Sequence, residues 1–144
     1  MQAPAAEPEA RILVDNPRKT ISDLMINDTN NQITITTSKI KLILDKQTAL
    51  LKVVNLSTGI TVLEETEPVL FEKGKTVLTL KENPDEYFYG GGVQNGRFSH
   101  KGKKIAIENQ NSWTDGGVAS PTPYYWSTRG YGFMWYTFKK GTYD

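Results

Sequence analysis

A period of two runs through this chain, and it leaves little room for an architecture built on helices. Ile33 and Ile35 alternate with Thr34 and Thr36, Ile40, Leu42 and Leu44 sit between Lys39, Lys41 and Asp45, and Ile105 and Ile107 alternate with Lys104 and Glu108. Successive side chains of a strand point to opposite faces, so this rhythm predicts strands with one face buried. Ile12–Val14, Leu50–Asn55, Thr61–Glu64, Val69–Phe71, Thr76–Lys81, Tyr87–Tyr89, Tyr124–Thr128 and Tyr131–Thr137 join them as strand candidates. Turn-forming runs separate them at Asp45-Lys46-Gln47, Ser57-Thr58-Gly59, Glu72-Lys73-Gly74-Lys75 and Thr128-Arg129-Gly130. Short strands at this spacing predict an all-β fold, an antiparallel β-sandwich with very little helix. Only Thr20–Ile26 offers a helical turn, and it lacks a convincing cap.

The 144 residues are enough for one domain with a real core, expected over 11–144 behind a disordered segment at 1–10. A formal net charge of +1 gives no electrostatic reason to expect nucleic acid as a partner. No apolar stretch approaches the length needed to span a bilayer. With no cysteine, thiolate catalysis and cysteine-ligated metals are excluded. Met1–Ala10, rich in Ala, Pro and Glu, has no apolar middle of the signal-peptide kind, and it is either a terminus without consequence or the start left after a signal was removed. The compartment stays open, with periplasmic or secreted favoured over cytoplasmic.

Composition changes abruptly near residue 86. Fourteen of the fifteen aromatic residues and ten of the twelve glycines lie from Tyr87 onward. The second half also carries the amides Gln94, Asn95, Asn109, Gln110 and Asn111. Sugar-binding surfaces use this mixture, because a pyranose presents apolar C–H faces for stacking and a rim of hydroxyls for hydrogen bonds. Aromatics also fill cores, and that reading is preferred for Phe88, Phe133 and Trp135 on alternating strands. Trp113 differs, since it stands among Asn, Ser, Thr, Asp and Gly in a loop.

Several chemistries find no support. His100 is the only histidine, which excludes a histidine metal cluster, and Ser99 lacks the strand-to-helix elbow of a nucleophile. No metal and no other cofactor is expected. Gly90-Gly91-Gly92 leads into no helix and has no following Gly-Lys-Ser/Thr, so it is not a phosphate cradle. Arg97, Lys101, Lys103 and Lys104 are read as a solvated strand edge, where lysines discourage edge-to-edge pairing. Glycoside hydrolysis needs two rigidly held carboxyl groups. Of the 16 acidic residues, Asp115 is the one best placed to touch a ligand, and one carboxylate does not make a pair.

Glu86-Tyr87-Phe88-Tyr89-Gly90-Gly91-Gly92 resembles the segment near the end of the N-terminal β-sandwich of glycoside hydrolase family 31, the retaining α-glycosidases. Phe98–Lys103 is similar to the family's loop before a strand, Asn109–Asp115 to the loop that reaches toward the active site, and Pro123–Gly132 to its paired closing strands. Ile35–Ile40 and Asp45–Gly59 resemble its opening strands, so the likeness covers most of Gln32–Asp144. At Val93-Gln94 the chain departs from the many members that carry a glutamate after the glycines.

The resemblance implies a galactose-mutarotase-like sandwich that packs against a catalytic (β/α)8 barrel of the same polypeptide, truncated here before that barrel. The barrel's aspartates would do the chemistry, removing an α-linked sugar from a glycan. No catalytic residue is therefore assigned, and the chain alone is expected to be inactive. Asn109, Asn111, Trp113 and Asp115 are the candidate substrate-binding residues, as one wall of the cleft. Two other classes stay in view, a self-standing carbohydrate-binding or adhesion module and an aldose epimerase. The second has only His100 to offer as an imidazole acid.

Overall fold

Alternation and turn chemistry build the structure hairpin by hairpin. The computed structural model describes residues 21–96, 98–137 and 139–144, so the segment 1–10 and the strand candidate Ile12–Val14 lie outside the described residues. The described residues hold strands and turns, all the strand pairs are antiparallel, and no helix is present among them. The all-β, antiparallel class expected from the sequence holds. The chain clusters into two compact units that divide between Glu82 and Asn83.

The first unit is a meander of six strands in sequence order: β1 (Met25–Asp28), β2 (Gln32–Thr36), β3 (Ile40–Asp45), β4 (Leu51–Asn55), β5 (Thr61–Glu72) and β6 (Lys75–Leu80). Two of its hairpins close with one device used twice. Asp45 Oδ1 accepts from the amides of Gln47 and Thr48 at 2.9 and 2.8 Å, and Asn55 Oδ1 accepts from the amide of Ser57 at 2.9 Å. Such side-chain bonds mimic a backbone turn and fix the loop. Each turn ends in the left-handed region, at Ala49 (φ 58°) and at Gly59 (φ 70°).

Three details of this sheet depart from the pattern. Residues 21–26 form a turn leading into the exposed edge strand β1, not a helical turn. In β2 the buried residue is Thr34, opposite Asn27 and Ile43, while Ile33 and Ile35 are only half-buried. Thr61–Glu64 and Val69–Phe71 belong to one long strand, β5, despite Pro68. The ladder with β6 shifts register on both sides of Glu67, and the pairs with β4 end at Glu64. Pro68 therefore sits where no ladder donor is needed.

The second unit holds a three-stranded sheet in the order β10-β9-β7, with β7 Phe88–Gln94, β9 Val118–Ser127 and β10 Tyr131–Met134. A two-stranded sheet pairs β8 (Ile105–Ile107) with β11 (Gly141–Tyr143). Its core is aliphatic at one end, where Ile105 and Ile107 of β8 and Val118 and Ala119 of β9 are buried. The other end is aromatic. Tyr125 meets Phe88 edge-on at 5.8 Å, Phe133 at 5.7 Å and Tyr143 at 4.9 Å between ring centres, and Phe133 lies 5.8 Å from Trp135. Phe88, Phe133 and Trp135 thus join one ring cluster, where each is half-buried and not fully in the core. Burial pushes the Tyr125 hydroxyl up to about 12 and, with the nearby Tyr125, the Tyr143 hydroxyl also to about 12.

Glu86 is the chemical centre of this unit. It is 1% exposed, and its carboxylate accepts from the Asn83 side-chain amide at 2.9 Å and from the Ser127 hydroxyl. Burial alone would raise its pKa, but hydrogen bonds from the Asn83, Ser127 and Tyr131 side chains outweigh that and hold it below the ordinary carboxylate value. Lys101 supports the same corner. Its ammonium donates to the carbonyls of Asn83 (3.3 Å), Pro84 and Glu86 (2.9 Å) and lies 5.1 Å from the centre of the Tyr87 ring. The solvated edge expected for the basic cluster is corrected for Lys101 alone, whose half-buried ammonium caps backbone carbonyls, while Lys103 and Lys104 are exposed. Arg97, of the same cluster, lies outside the described residues.

Candidate functional site

The loop between β8 and β9 carries all four candidate sugar-contacting residues. It is anchored from outside by Asn95. The Asn95 side-chain amide donates to Ser112 O at 2.9 Å, its backbone N–H donates to Gly117 O at 3.0 Å, and its carbonyl accepts from Gly116 N at 2.9 Å. Within the loop, Ser112 N donates to Val118 O at 3.2 Å and Gly117 N to Thr114 O at 2.9 Å. A Cβ at Gly117 would fall 2.3 Å from Ser112 Oγ, so only glycine lets the loop close on itself. These bonds give the loop the fixed geometry that a binding wall requires.

The four residues do different things on this frame. Asn109 Oδ1 accepts from Asn111 N at 3.0 Å, which turns the chain and holds Asn111 at φ 48°. Asn109 and Asn111 are thereby joined directly. Asp115 is exposed and lies against Gly96, where an added Cβ would meet its Oδ1 at 3.4 Å. Trp113 shares the loop with the others and is 71% exposed, a large apolar surface left in water. Core packing does not explain it.

In the sequence Asn95 is one of several amides, and nothing there marks it as an anchor, because its partners Ser112 and Gly117 are distant in sequence. Gly90, Gly91 and Gly92 all have positive φ, and the ladder between β7 and β9 shifts register between Gly90 and Gly92. The glycine run is therefore a bulged strand, in keeping with the rejection of a phosphate cradle. His100 does more than occupy a loop. Its N–H donates to Phe88 O at 2.9 Å and its Nε2 donates to Gly90 O at 2.8 Å, which lays the 98–100 segment along β7.

Comparison with known proteins gives this geometry its context. The family model described as the glycosyl hydrolase 31 N-terminal galactose mutarotase-like domain matches residues 2–144. No curated protein sequence matches the chain. Among solved structures, a GH31 α-xylosidase from a soil metagenome, complexed with xylose, is 21% identical with a TM-score of 0.73, and the match covers 97% of this chain and 24% of that one. A GH31 dextranase from Flavobacterium johnsoniae, complexed with isomaltotriose, is 16% identical with a TM-score of 0.72, over 81% of this chain and 15% of that one. The GH31 α-xylosidase from Xanthomonas citri is 20% identical with a TM-score of 0.66, over 92% of this chain and 14% of that one. At these identities the likeness is one of fold, and the chain spans at most about a quarter of the length of these structures.

Proposed function

The chain belongs to the glycosyl hydrolase 31 N-terminal galactose mutarotase-like domain family, and on that premise we propose that it is the non-catalytic N-terminal domain of a retaining α-glycoside hydrolase. In this reading a catalytic barrel of the same polypeptide performs the hydrolysis. The domain supports that barrel and lends it the Asn109–Asp115 loop as one wall of the substrate cleft. The sugars bound in the α-xylosidase and dextranase structures agree with an α-linked glycan as substrate.

The observation that carries the proposal is Trp113, 71% exposed on a loop whose backbone is pinned by Asn95. A rigid, solvent-facing indole is suited to stack on the C–H face of the leaving-group sugar. Asn111 and Asp115 would hydrogen-bond its hydroxyls, and the wall would exclude water from the cleft. Binding energy spent on the leaving group in this way is realised in turnover of natural substrates.

Trp113→Ala in the full-length enzyme tests this. Stacking is worth roughly 1 kcal/mol beyond the area it covers, and with the lost area kcat/KM for a natural disaccharide should fall about tenfold. An aryl glycoside, whose leaving group needs no such grip, should lose less. The melting temperature should change little, because an exposed indole adds little to packing. Equal losses on both substrates, or a collapse in melting temperature, would make Trp113 a structural residue and remove the loop from the cleft.

A further inference from the structure

We propose that a second carbohydrate-contacting site lies on the outward face of β7 and β9, in a groove suited to one pyranose ring. The groove has a volume of about 530 Å³ and is lined by Tyr89, Gln94, Phe98, His100, Trp126 and Thr128, with the bare backbone of Gly90 and Gly92 between them. That volume falls within the range usual for small-molecule sites. It shares no lining residue with the Trp113 loop, so it is separate from the cleft wall.

Pairing across the ladder creates the aromatic surface. Tyr89 sits opposite Trp126 in the β7–β9 register, and their rings stack at 4.6 Å with an interplanar angle of 25°. Phe98 stands edge-on to Tyr89 at 5.5 Å and 73°, as a side wall. None of this is core, since Trp126 is 45% and Phe98 86% exposed. The glycines keep the groove open at a close approach of backbones. A Cβ on Gly90 would lie 2.7 Å from Tyr124 O, and one on Gly92 would lie 2.1 Å from Ser120 O.

The polar lining decides between an apolar occupant and a sugar. His100 Nε2 donates to a carbonyl, so in the neutral ring Nδ1 is an acceptor, and it has no partner. Gln94 is buried, its amide nitrogen donates to Gly91 O at 2.8 Å, and its Oε1 also has no partner. The Thr128 hydroxyl accepts from Tyr87 N at 3.0 Å, which leaves its proton to donate. A buried acceptor without a donor is a standing cost, which a peptide's apolar side chain cannot relieve. A ligand with several hydroxyl donors and a flat apolar face answers both halves of the lining, and a pyranose has both. The two acceptors belong to residues that line the groove and are closed to solvent in the free chain. No lysine or arginine lines the groove among the described residues.

The test is a titration of the chain with methyl α-glucopyranoside and methyl α-xylopyranoside, followed by two-dimensional NMR. The Trp126 indole N–H, identified by its loss in Trp126→Phe, reports the groove in the wild type, and the backbone amides of Gly90, Gly92 and Thr128 report it in every variant. Saturable movement of these signals is expected. Trp126→Ala should weaken affinity at least tenfold, and Trp126→Phe should retain most of it. Dispersion of the amide spectrum checks that each variant is folded, and Phe98→Ala serves in place of Trp126→Ala should that variant unfold. Absence of saturation with both glycosides, or equal affinity in the folded ring variants, overturns the proposal. So does Trp126-dependent self-association without any response to sugar, which would make the groove a protein contact. Because these readouts do not involve Trp113 or turnover, their failure is distinguishable from failure of the cleft-wall role.

Discussion

Gly92→Ala is expected to melt the second unit more than 10 °C below the wild type. A Cβ at this position would fall 2.1 Å from Ser120 O, 2.6 Å from Thr122 N and 2.9 Å from Pro121 C, all atoms of the β9 backbone. No side chain can rotate aside, so β9 itself must move away from β7. The backbone at φ +77° adds its own penalty for a residue with a Cβ. Overpacking and the left-handed backbone together cost roughly 3 kcal/mol. In a unit of this size each kcal/mol shifts the midpoint by about 4–8 °C. Gly102→Ala is the control, because Gly102 has φ +65° with nothing within 4 Å of an added Cβ, and it should lose only a few degrees. Near-ultraviolet circular dichroism reads this unit selectively, since every Trp and Tyr of the chain lies in it. Equal losses at the two glycines would show that the β7–β9 approach is not as tight as described.

Removal of the Glu86 carboxylate should have an effect of similar size, with a pH signature. Glu86→Ala leaves the Ser127 hydroxyl, the Asn83 amide and the Tyr131 hydroxyl without their acceptor in a closed site, at a cost of about 3 kcal/mol. Because hydrogen bonds hold the folded pKa below the ordinary value of 4.5, the folded state binds this proton less readily than the unfolded chain. The stabilisation is therefore fully present above 4.5 and is lost as pH falls through the folded value. Denaturant midpoints between neutral pH and pH 3 should fall in the wild type. In Glu86→Gln this component should disappear, leaving a lower and flatter profile. A wild-type slope preserved in the Gln variant would assign the acid lability to another group.

The parts of this molecule that were legible in the sequence are those set by neighbours along the chain. Ile105 and Ile107 are buried between exposed Lys104 and Glu108, as their alternation requires. The turns at Asp45 and Asn55 follow from side chains that bond two residues ahead. Trp113 stands in a loop and is exposed, which its polar surroundings implied. What stayed hidden depends on strands that meet from far apart.

The first half of β9 is not apparent in the sequence, where Pro121 and Pro123 interrupt the strand pattern. Pro121 in fact lies opposite Gly92, next to the register shift in the ladder, and Pro123 lies beyond the last β10 pair, Met134 with Tyr124. A missing N–H costs little at either place. The stacked Tyr89 and Trp126 are 37 positions apart, and the bond from Ser127 to Glu86 spans 41. Strand register brings these residues together, and a bulge that shifts register is not visible from composition or period.

The central claim is a division of labour, in which this chain carries sugar contacts and another part of the polypeptide carries the chemistry. Its most direct test is turnover of nitrophenyl α-glucoside, α-galactoside and α-xyloside by the purified chain, beside the full-length enzyme. The account predicts hydrolysis by the full-length enzyme and, for the chain alone, no release of nitrophenol above a control without protein. Turnover by the chain that survives rigorous repurification would contradict it.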